Sequence, residues 1–404
     1  MWLSDFRIVL PDQVIEHGSL RVEDGCIAEV VDGVVAGAAV IGNGRTMLPG
    51  IVDLHGDMLE REIEPRPKAV LPIDLAVFEL DKRLVATGIT TAFTAVSFHR
   101  FGSETLRSEE RARQIIDTVV RLHPLLHSDF KIHARFEVTN PDAAPVLTSL
   151  MEAACVHLVS LTDHTPGQGQ YRDIDKYVET MIEWRRMRTG APTSASDIRT
   201  EIGHLQARAK NWDVVTDIVR VARSQRIPLA SHDDDSTEKV EFVAGLGATI
   251  SEFPITLESA RAARARGMHT VMGAPNALLG RSHSHNLSAL DGVRADLIDI
   301  LAADYHPASL VQSAYSIAMQ EILPLHEAMK LVSLNPANAA GLTDRGSLQP
   351  NKRADIVFVD EGARPRVRGT LRGGRVVYWD GSIATLATDR TAALVPGPPA
   401  SAMS

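Results

Sequence analysis

Two side chains that can bind a metal ion stand close together in the segment LPGIVDLHGDMLE, residues 48–60. His55 and Asp57 are two positions apart in a run whose apolar and polar residues alternate, as they do in a half-buried strand. Residues two apart on a strand share a face, so Asp53, His55 and Asp57 are predicted to point the same way. An imidazole beside a carboxylate suits zinc or manganese. A strand with an ordinary polar face would show the same pattern, so this segment alone does not show whether a metal ion is bound.

The elements that would position these residues form a repeating pattern between the two ends of the chain. Short apolar runs alternate there with longer helical patterns, which indicates βα units and a parallel sheet. Eight strands separated by helices predict an α/β fold built on a (β/α)8, TIM-like barrel. The predicted strands cover residues 50–57, 88–96, 131–138, 155–162, 227–232, 248–254, 269–274 and a last one that ends near Asp304. The predicted helices cover residues 74–87, 103–122, 173–188, 197–225, 236–246, 256–266, 309–320 and 324–333.

The two ends of the chain resemble each other and differ from the middle. Both contain short β-rich pieces joined by Gly-containing turn pairs, the pattern of antiparallel hairpins. We predict one small β-sandwich domain made from residues 1–48 and 345–385, beside a metal-dependent barrel of residues 49–344. Residues 386–404 are rich in Ala, Pro and Ser and are predicted to be a flexible tail.

Composition narrows the function classes. The 404 residues are 44% hydrophobic and 23% charged with a net charge of −9, and no dense basic block is present, so nucleic acid is not expected as a partner. The two cysteines cannot form a disulfide framework or a four-thiolate zinc site. No apolar run has the length of a membrane span, and the first residues lack a signal-peptide pattern. We expect a cytoplasmic protein without a membrane partner, and the sequence leaves a monomer and a homo-oligomer equally open.

Candidate ligands recur where the predicted strands end, which is where barrels of this kind place catalytic groups. They are His55 and Asp57, Glu137, Asp163 and His164, His232 with Asp233–Asp235, and Asp304. Such a set could hold two metal ions about 3.5–4 Å apart that share a bridging anion and activate a water. No lysine stands at a strand end to serve as a carboxylated bridge, so Glu137 is the predicted bridging residue. Asp233–Asp235 could instead cap the following helix, with Asp233 the one of the three most expected to face the site. Glu252 ends the sixth predicted strand and could support the ligands, but it is placed outside the central set.

Two loops carry groups that could bind substrate. Residues 280–286, GRSHSHN, offer Arg281, Ser282, His283, Ser284, His285 and Asn286 as hydrogen-bond donors for phosphate oxygens. A polar surface loop is the alternative explanation. The stretch DHTPGQGQY reads as a flexible loop over the site, with Gln168 and Tyr171 as possible ligand contacts.

Several of these stretches together carry a family resemblance. LPGIVDLHGDMLE, GITTAF, SLTDHTPGQGQY, SHDDDST, SEFPITLESA, VMGAPNALLGRSHSHNLSA and ADYHPASL resemble the amidohydrolase superfamily, and within it the PhnM-type hydrolases of phosphonate metabolism. The match runs from about residue 1 to 385. The first strand reads His-Gly-Asp where many members of the superfamily have His-x-His, which leaves the number of bound metals in doubt but agrees with the PhnM-type sequences.

The resemblance implies a metal-dependent diphosphatase that releases pyrophosphate from a ribose 5-triphosphate carrying a methylphosphonate. It implies two divalent ions, zinc first, with Mn²⁺ or Fe²⁺ as alternatives. The implied metal ligands are His55, Asp57, Glu137, His164, His232 and Asp304. Asp304 would also be the general base, although it could be a helix N-cap instead. The implied phosphate contacts are Arg281, Ser282, His283, Ser284, Asn286 and Gln168.

Two other functions remain open at this stage. The same fold could hydrolyse a cyclic amide or an N-acyl compound, which would need few phosphate donors. The chain could also be a non-catalytic binding protein whose barrel has lost its activity. The complete set of candidate metal ligands at the strand ends disfavours this hypothesis.

Overall fold

The computed structural model describes residues 1–66, 68–98, 108–189, 192–207, 210, 212–280, 286–362 and 364–383. The first strands are β1 (Trp2–Val9), β2 (Val14–Glu23), β3 (Cys26–Asp32), β4 (Val40–Ile41) and β5 (Thr46–Pro49). The next eight are β6 (Ile51–Gly56), β7 (Ile89–Phe98), β8 (Asp129–Glu137), β9 (Leu158–Thr162), β10 (Leu229–His232), β11 (Ile250–Glu252), β12 (His269–Gly273) and β13 (Ile300–Ala302). The last are β14 (Ile356–Asp360), β15 (Arg366–Arg372) and β16 (Arg375–Trp379).

Strands β6 to β13 pair in chain order as one parallel sheet, each strand beside the next. A parallel bridge between Gly56 and Asp304 joins the first strand to the end of the last. Two backbone hydrogen bonds hold this seam, from Asp57 N to Asp304 O at 2.7 Å and from Asp304 N to His55 O at 2.8 Å. The predicted eight-stranded barrel is therefore confirmed, and its closure brings residues from both ends of the barrel sequence together.

The strands from the two termini form a second, mixed sheet in the order β16-β15-β14-β5-β1-β2-β3, with β4 on β1. This sheet has its own core, in which Phe6 and Phe358 pack with ring centroids 5.0 Å apart. The predicted β-domain from both termini is thus present as a separate sheet. The exact domain boundaries stay a prediction, and residues 386–404 lie outside the described part of the chain.

Helices fill the predicted gaps between the barrel strands. The described ones are α1 (Met58–Ile63), α2 (Ile73–Ala86), α3 (Glu109–Leu122), α4 (Ala144–Glu152), α5 (Ile174–Thr189), α6 (Ala195–Gln206), α7 (Trp212–Gln225), α8 (Thr237–Leu246), α9 (Leu257–Ala265), α10 (Ala274–Leu279), α11 (Ala289–Arg294), α12 (Ser309–Met319), α13 (Leu325–Lys330) and α14 (Leu334–Ala339). The single helix predicted over residues 197–225 is wrong, because α6 ends at Gln206 and α7 begins at Trp212. Within the described residues, no helix is both long and apolar enough to cross a membrane.

Two apolar layers hold the barrel. The larger core lies between the outer strand faces and the helices, and a smaller cluster fills the barrel interior. The interior cluster includes Leu54, Phe93, Leu158, Ala230, Ile250, Val271 and Ile300. Polar residues follow these apolar residues toward the carboxyl ends of the strands, so the polar groups meet above a packed floor.

Strand β6 departs from strict alternation. Its register with β7 shifts at two places. Leu54 belongs to the interior cluster, and His55 nevertheless contacts the interior carboxylate of Glu252. The carboxylate of Asp53 instead accepts hydrogen bonds from the backbone of His55 at 3.2 Å and of Ala303 at 2.8 Å. Asp53 thus ties β6 to the end of β13, and the prediction that all three polar residues share one face stays a prediction for Asp53.

Candidate metal centre

The centre of the polar cluster is Glu252, at the end of β11, which is fully buried. Its Oε1 lies 3.2 Å from Nδ1 of His55, and its Oε2 lies 3.1 Å from Nδ1 of His232. The Ser160 hydroxyl donates to Oε2 at 2.5 Å, and Nε2 of His133 lies 3.5 Å from Oε1. A single carboxylate from the sixth barrel strand thus holds side chains from four other strands.

The imidazole rings stack around this carboxylate. The rings of His55 and His232 lie nearly parallel with centroids 5.5 Å apart, and those of His164 and His232 are 5.8 Å apart. Because Glu252 contacts Nδ1 of both His55 and His232, their Nε2 atoms point to the other side of each ring. Histidines that bind metals commonly donate their second N–H to a carboxylate in this way, which fixes ring orientation and tautomer.

Arg135 brings a positive charge into the same cluster. It lies on β8, its side chain is 9% exposed, and its NH1 is 3.0 Å and 3.1 Å from the two carboxylate oxygens of Asp57. Its NH2 is 3.2 Å from Nε2 of His232. A guanidinium can only donate, so this nitrogen of His232 accepts and its Nδ1–H is left to donate to Glu252.

Glu137 and His164 form a second, adjoining pair. Nδ1 of His164 is 2.7 Å from Oε2 of Glu137, and the His164 backbone N–H donates to Oε1 at 3.1 Å. The Thr162 hydroxyl donates to the same carboxylate at 3.3 Å. The structure thus brings Glu137 to the strand ends as expected, and there it contacts His164. Whether it bridges two ions stays a prediction.

Asp304 lies at the seam that closes the barrel. Its backbone binds both His55 and Asp57, and a Cβ added to Gly273 would meet its Oδ2 at 3.4 Å. Helix α12 begins five residues later and has Ala308 at its N-cap position, so the helix-cap alternative for Asp304 is excluded.

Three non-glycine residues at the site adopt left-handed backbone conformations. Their φ angles are 53° at Asp233, 54° at Phe253 and 56° at Asp304, directly after β10, β11 and near the end of β13. Such conformations cost free energy and concentrate at functional sites, where the surrounding structure enforces them. Here they turn the chain at the strand ends that carry His232, Glu252 and Asp304.

The three aspartates after β10 have separate contacts, and the carboxylate of Asp235 accepts from the backbone N–H of Gly169 at 2.7 Å. Oδ2 of Asp233 lies 3.8 Å from Nε2 of His232, which places it at the site. Asp234 is fully buried and accepts from the hydroxyls of Ser231 and Ser251, each at 2.5 Å. The expected capping role is wrong, because Ser236 is the N-cap of α8.

The loop after β9 is tied down by a lysine. Nζ of Lys210 is 2.6 Å from Oδ2 of Asp163 and 3.2 Å from Oε1 of Gln168. Lys210 lies between α6 and α7 rather than in a helix, which corrects its assignment from sequence. Gln168 also donates from Nε2 to the backbone oxygen of Asp163 at 3.4 Å, so its side chain holds the loop. The Tyr171 ring lies 6.1 Å from that of His164.

Of the predicted phosphate-binding residues 281–286, the structure describes only Asn286. Arg281, Ser282, His283, Ser284 and His285 lie outside the described residues. Asn286 is described and partly buried, and the next residue, Leu287, donates its backbone N–H to Ile255 O at 3.0 Å. The contacts of this loop with phosphate therefore stay a prediction.

The cluster favours a positive charge on His55 and disfavours one on His133 and His232. Burial opposes protonation of His55, but the carboxylates of Glu252 and Asp57 outweigh it and raise the pKa of His55 to about 10. Burial raises the pKa of Glu252 less than the imidazoles of His133 and His55 lower it, so it stays well below its ordinary value. Burial lowers the pKa of His133 to about 4, and burial with Arg135 nearby lowers that of His232 well below 6.5.

These residues fit a divalent metal ion. Two groups have ligand atoms that all lie within 4.8 Å of one another: His55, His232 and Glu252, and His164, His232 and Asp233. Imidazole and carboxylate are the donors that zinc and related ions take. A site that holds a proton on His55 at neutral pH is also one in which a cation can replace that proton.

Sequence reasoning missed three members of this cluster. Glu252 was placed outside the central set, and His133 and Arg135 were not singled out. The signal for the last two was present in the alternation KIHARFE, which places Lys131, His133, Arg135 and Glu137 on one face of β8. Glu252 had the same position as the other ligands, at a strand end.

The comparisons with known proteins agree with this geometry. The chain is 36% identical over 365 residues to the α-D-ribose 1-methylphosphonate 5-triphosphate diphosphatase of Escherichia coli K12, covering 89% of this chain and 94% of the relative. Residues 291–378 match the model of the amidohydrolase family. The chain belongs to the amidohydrolase family. It is accordingly a hydrolase, and the resemblance seen in the sequence is confirmed.

Solved structures of other amidohydrolase-fold enzymes share the architecture. The N-acetyl-D-glucosamine-6-phosphate deacetylase of Mycobacterium smegmatis superposes with a TM-score of 0.62 at 15% identity, over 94% of this chain and all of that chain (100%). Molinate hydrolase gives a TM-score of 0.62 at 13% identity, over 98% of both chains. At these identities the likeness concerns the fold alone.

Proposed function

We propose that this chain is a metal-dependent diphosphatase that hydrolyses α-D-ribose 1-methylphosphonate 5-triphosphate to the 5-phosphate and pyrophosphate, in phosphonate catabolism. The observation that carries the proposal is the match to the E. coli diphosphatase across nearly the whole of both chains. The buried cluster of imidazoles and carboxylates at the barrel mouth supports it, because hydrolysis of a phosphoanhydride depends mainly on positioning and charge neutralisation.

The proposed metal ligands come from His55, Asp57, Glu137, His164, His232 and Asp304, with Asp233 added from the structure. A bound divalent ion, with zinc the first choice, would lower the pKa of a water and polarise the phosphoryl group. Glu252 orients His55 and His232 by accepting from their Nδ1 atoms. The sequence-based expectation of two ions stays a prediction, as do a cytoplasmic location and a homo-oligomer.

Asp304 is the proposed general base. Its backbone is fixed against both His55 and Asp57, so a carboxylate held at the closing seam is well placed to take a proton from a water bound beside these ligands. Arg281, Ser282, His283, Ser284, Asn286 and Gln168 remain the proposed phosphate contacts. Gln168 would have to exchange its bonds to Lys210 and Asp163 for substrate.

The test is a substrate panel with the purified, zinc-loaded enzyme. Phosphorus NMR should show pyrophosphate and α-D-ribose 1-methylphosphonate 5-phosphate in equal amounts. Enzyme from which a chelator has removed the metal should form neither product. Hydantoins, dihydropyrimidines and N-acyl amino acids serve as the comparison set, since a metal-bound hydroxide could also attack a carbonyl carbon. Turnover of the amides alone, with no release of pyrophosphate, would overturn the proposal.

A further inference from the structure

The most unusual group in the centre is Arg135, because a fixed positive charge stands among residues suited to bind a metal. It is anchored on β8 between His133 and Glu137, whose side chains also reach the interior. Its side chain is 9% exposed, so it is part of the buried cluster rather than a surface residue that folds over the site.

The guanidinium of Arg135 contacts two of the expected metal ligands. NH1 lies 3.0 Å and 3.1 Å from the two oxygens of Asp57, and NH2 lies 3.2 Å from Nε2 of His232. A carboxylate has about four lone-pair sites, so Asp57 can still bind an ion, but the lone pair at Nε2 of His232 is taken by Arg135. Unlike a lysine or a histidine, an arginine cannot yield by losing its proton.

The remaining nitrogen of His232 is also engaged. Its Nδ1 is 3.1 Å from Glu252, so both ring nitrogens have partners when Arg135 is in place. The two groups of possible ligands share His232, since one contains His55 and Glu252 and the other contains His164 and Asp233. Because Glu252 holds Nδ1 of His232, only Nε2 of this ring can bind an ion, and it becomes available beside His164 and Asp233 when Arg135 is removed.

We propose that Arg135 takes the place of one cation in this centre, so that each chain binds a single divalent ion beside Nε2 of His55 and the carboxylate of Asp57, and a second position opens at His164, His232 and Asp233 when the guanidinium is removed. The inference rests on the proposed metal-dependent function and departs from the expectation of two ions. Hydrolysis of a polyphosphate needs positive charge near the phosphoryl oxygens. The single ion would supply one such charge, and the guanidinium of Arg135 would supply the second. Arg135 is thereby a positioning residue for Asp57 and His232.

The experiment counts metal ions in the wild type and in Arg135→Met, which keeps much of the side-chain volume without the charge. Metal-free protein is dialysed against zinc and analysed by mass spectrometry, and it is titrated with Mn²⁺ under electron paramagnetic resonance. We expect one equivalent and an isolated-ion spectrum for the wild type. For Arg135→Met we expect two equivalents and a spectrum of coupled ions, as for two metals about 3.5–4 Å apart.

Arg345→Met is the matched control. Arg345 is equally buried and pairs with a buried carboxylate, Asp129, at 2.6 Å, and its side chain also contacts Thr91 and Asp344, which do not belong to the metal cluster. It should keep one equivalent. Two equivalents in the wild type, or one or none in Arg135→Met, would overturn the inference. No metal in the wild type would instead overturn the metal-dependent function itself. Should Arg135→Met not fold, Arg135→Gln replaces it with the same expectations.

Discussion

Replacing Glu252 by glutamine removes one charge from the middle of the cluster and changes almost nothing in side-chain volume. Wild-type Glu252 contacts His55, His232 and Ser160 through both carboxylate oxygens. A glutamine at this position keeps one acceptor oxygen. Its amide N–H₂ replaces the other oxygen and faces a group that donates a hydrogen bond in the wild type. At least one charge-assisted hydrogen bond is lost and one buried donor is left unpaired.

The magnitude follows from these contacts. A hydrogen bond to a charged group contributes about 1.5–3 kcal/mol, and an unpaired buried polar group costs about 1–3 kcal/mol. Glu252→Gln should therefore lower the free energy of unfolding by about 3–5 kcal/mol. Because the rings of His55 and His232 lose their common orienting carboxylate, zinc affinity should fall by about 10–100-fold.

Urea unfolding measures the first effect and zinc titration of metal-free protein the second. Asp234→Asn is the matched control, since Asp234 is also fully buried but accepts from the hydroxyls of Ser231 and Ser251 instead of from histidines. The control should lose stability and bind zinc as the wild type does. If Glu252→Gln also bound zinc with wild-type affinity, the assigned orienting role of Glu252 would be refuted.

Three further predictions test the site and the scaffold. Asp304→Asn should keep its metal and lower kcat by about 10²–10⁴-fold, measured by pyrophosphate release, and a near-normal kcat would exclude it as the general base. Burial lowers the pKa of His157 to about 4. Between about pH 6.5 and 4 the unfolded chain therefore binds a proton at this histidine that the folded chain does not bind. The free energy of unfolding consequently decreases as the pH falls through this range. The 2.5-unit difference corresponds to about 3 kcal/mol, and His157→Asn, compared with the wild type by urea unfolding at pH 7 and 4.5, should lack this loss. Arg345→Met should destabilise the fold by about 1.5–3 kcal/mol, because Asp129 loses one charge-assisted hydrogen bond and keeps His123 and Lys131 as partners, while an unchanged midpoint of unfolding would contradict that assignment.

Much of the fold could be predicted because its signals are local. Each barrel strand is a short apolar run bounded by turn or capping residues, and all eight lie where the alternation of strands and helices placed them. The error at residues 197–225 arose because α6 and α7 both have helical composition and only a short connection separates them. The position of Lys210 in that connection, bound to Asp163, depends on the packing of the β9 loop.

The site was predictable in part for the same reason. His55, His164, His232 and Asp304 could be found because strand ends are visible in the sequence and barrels bring strand ends together. The partner of each side chain was not visible, since Asp53 binds the backbone of Ala303, which is 250 residues away in the sequence.

The sequence by itself determined the order of strands and helices, the residue types available at the barrel mouth and the family of the chain. Only the tertiary structure decided which of those residues touch. Glu252 became the centre of the cluster and Arg135 the partner of Asp57 because closing the sheet brings together strands that are 78 to 197 residues apart in the sequence. Contacts at such separations are set by the register and closure of the whole barrel, and no local pattern encodes them.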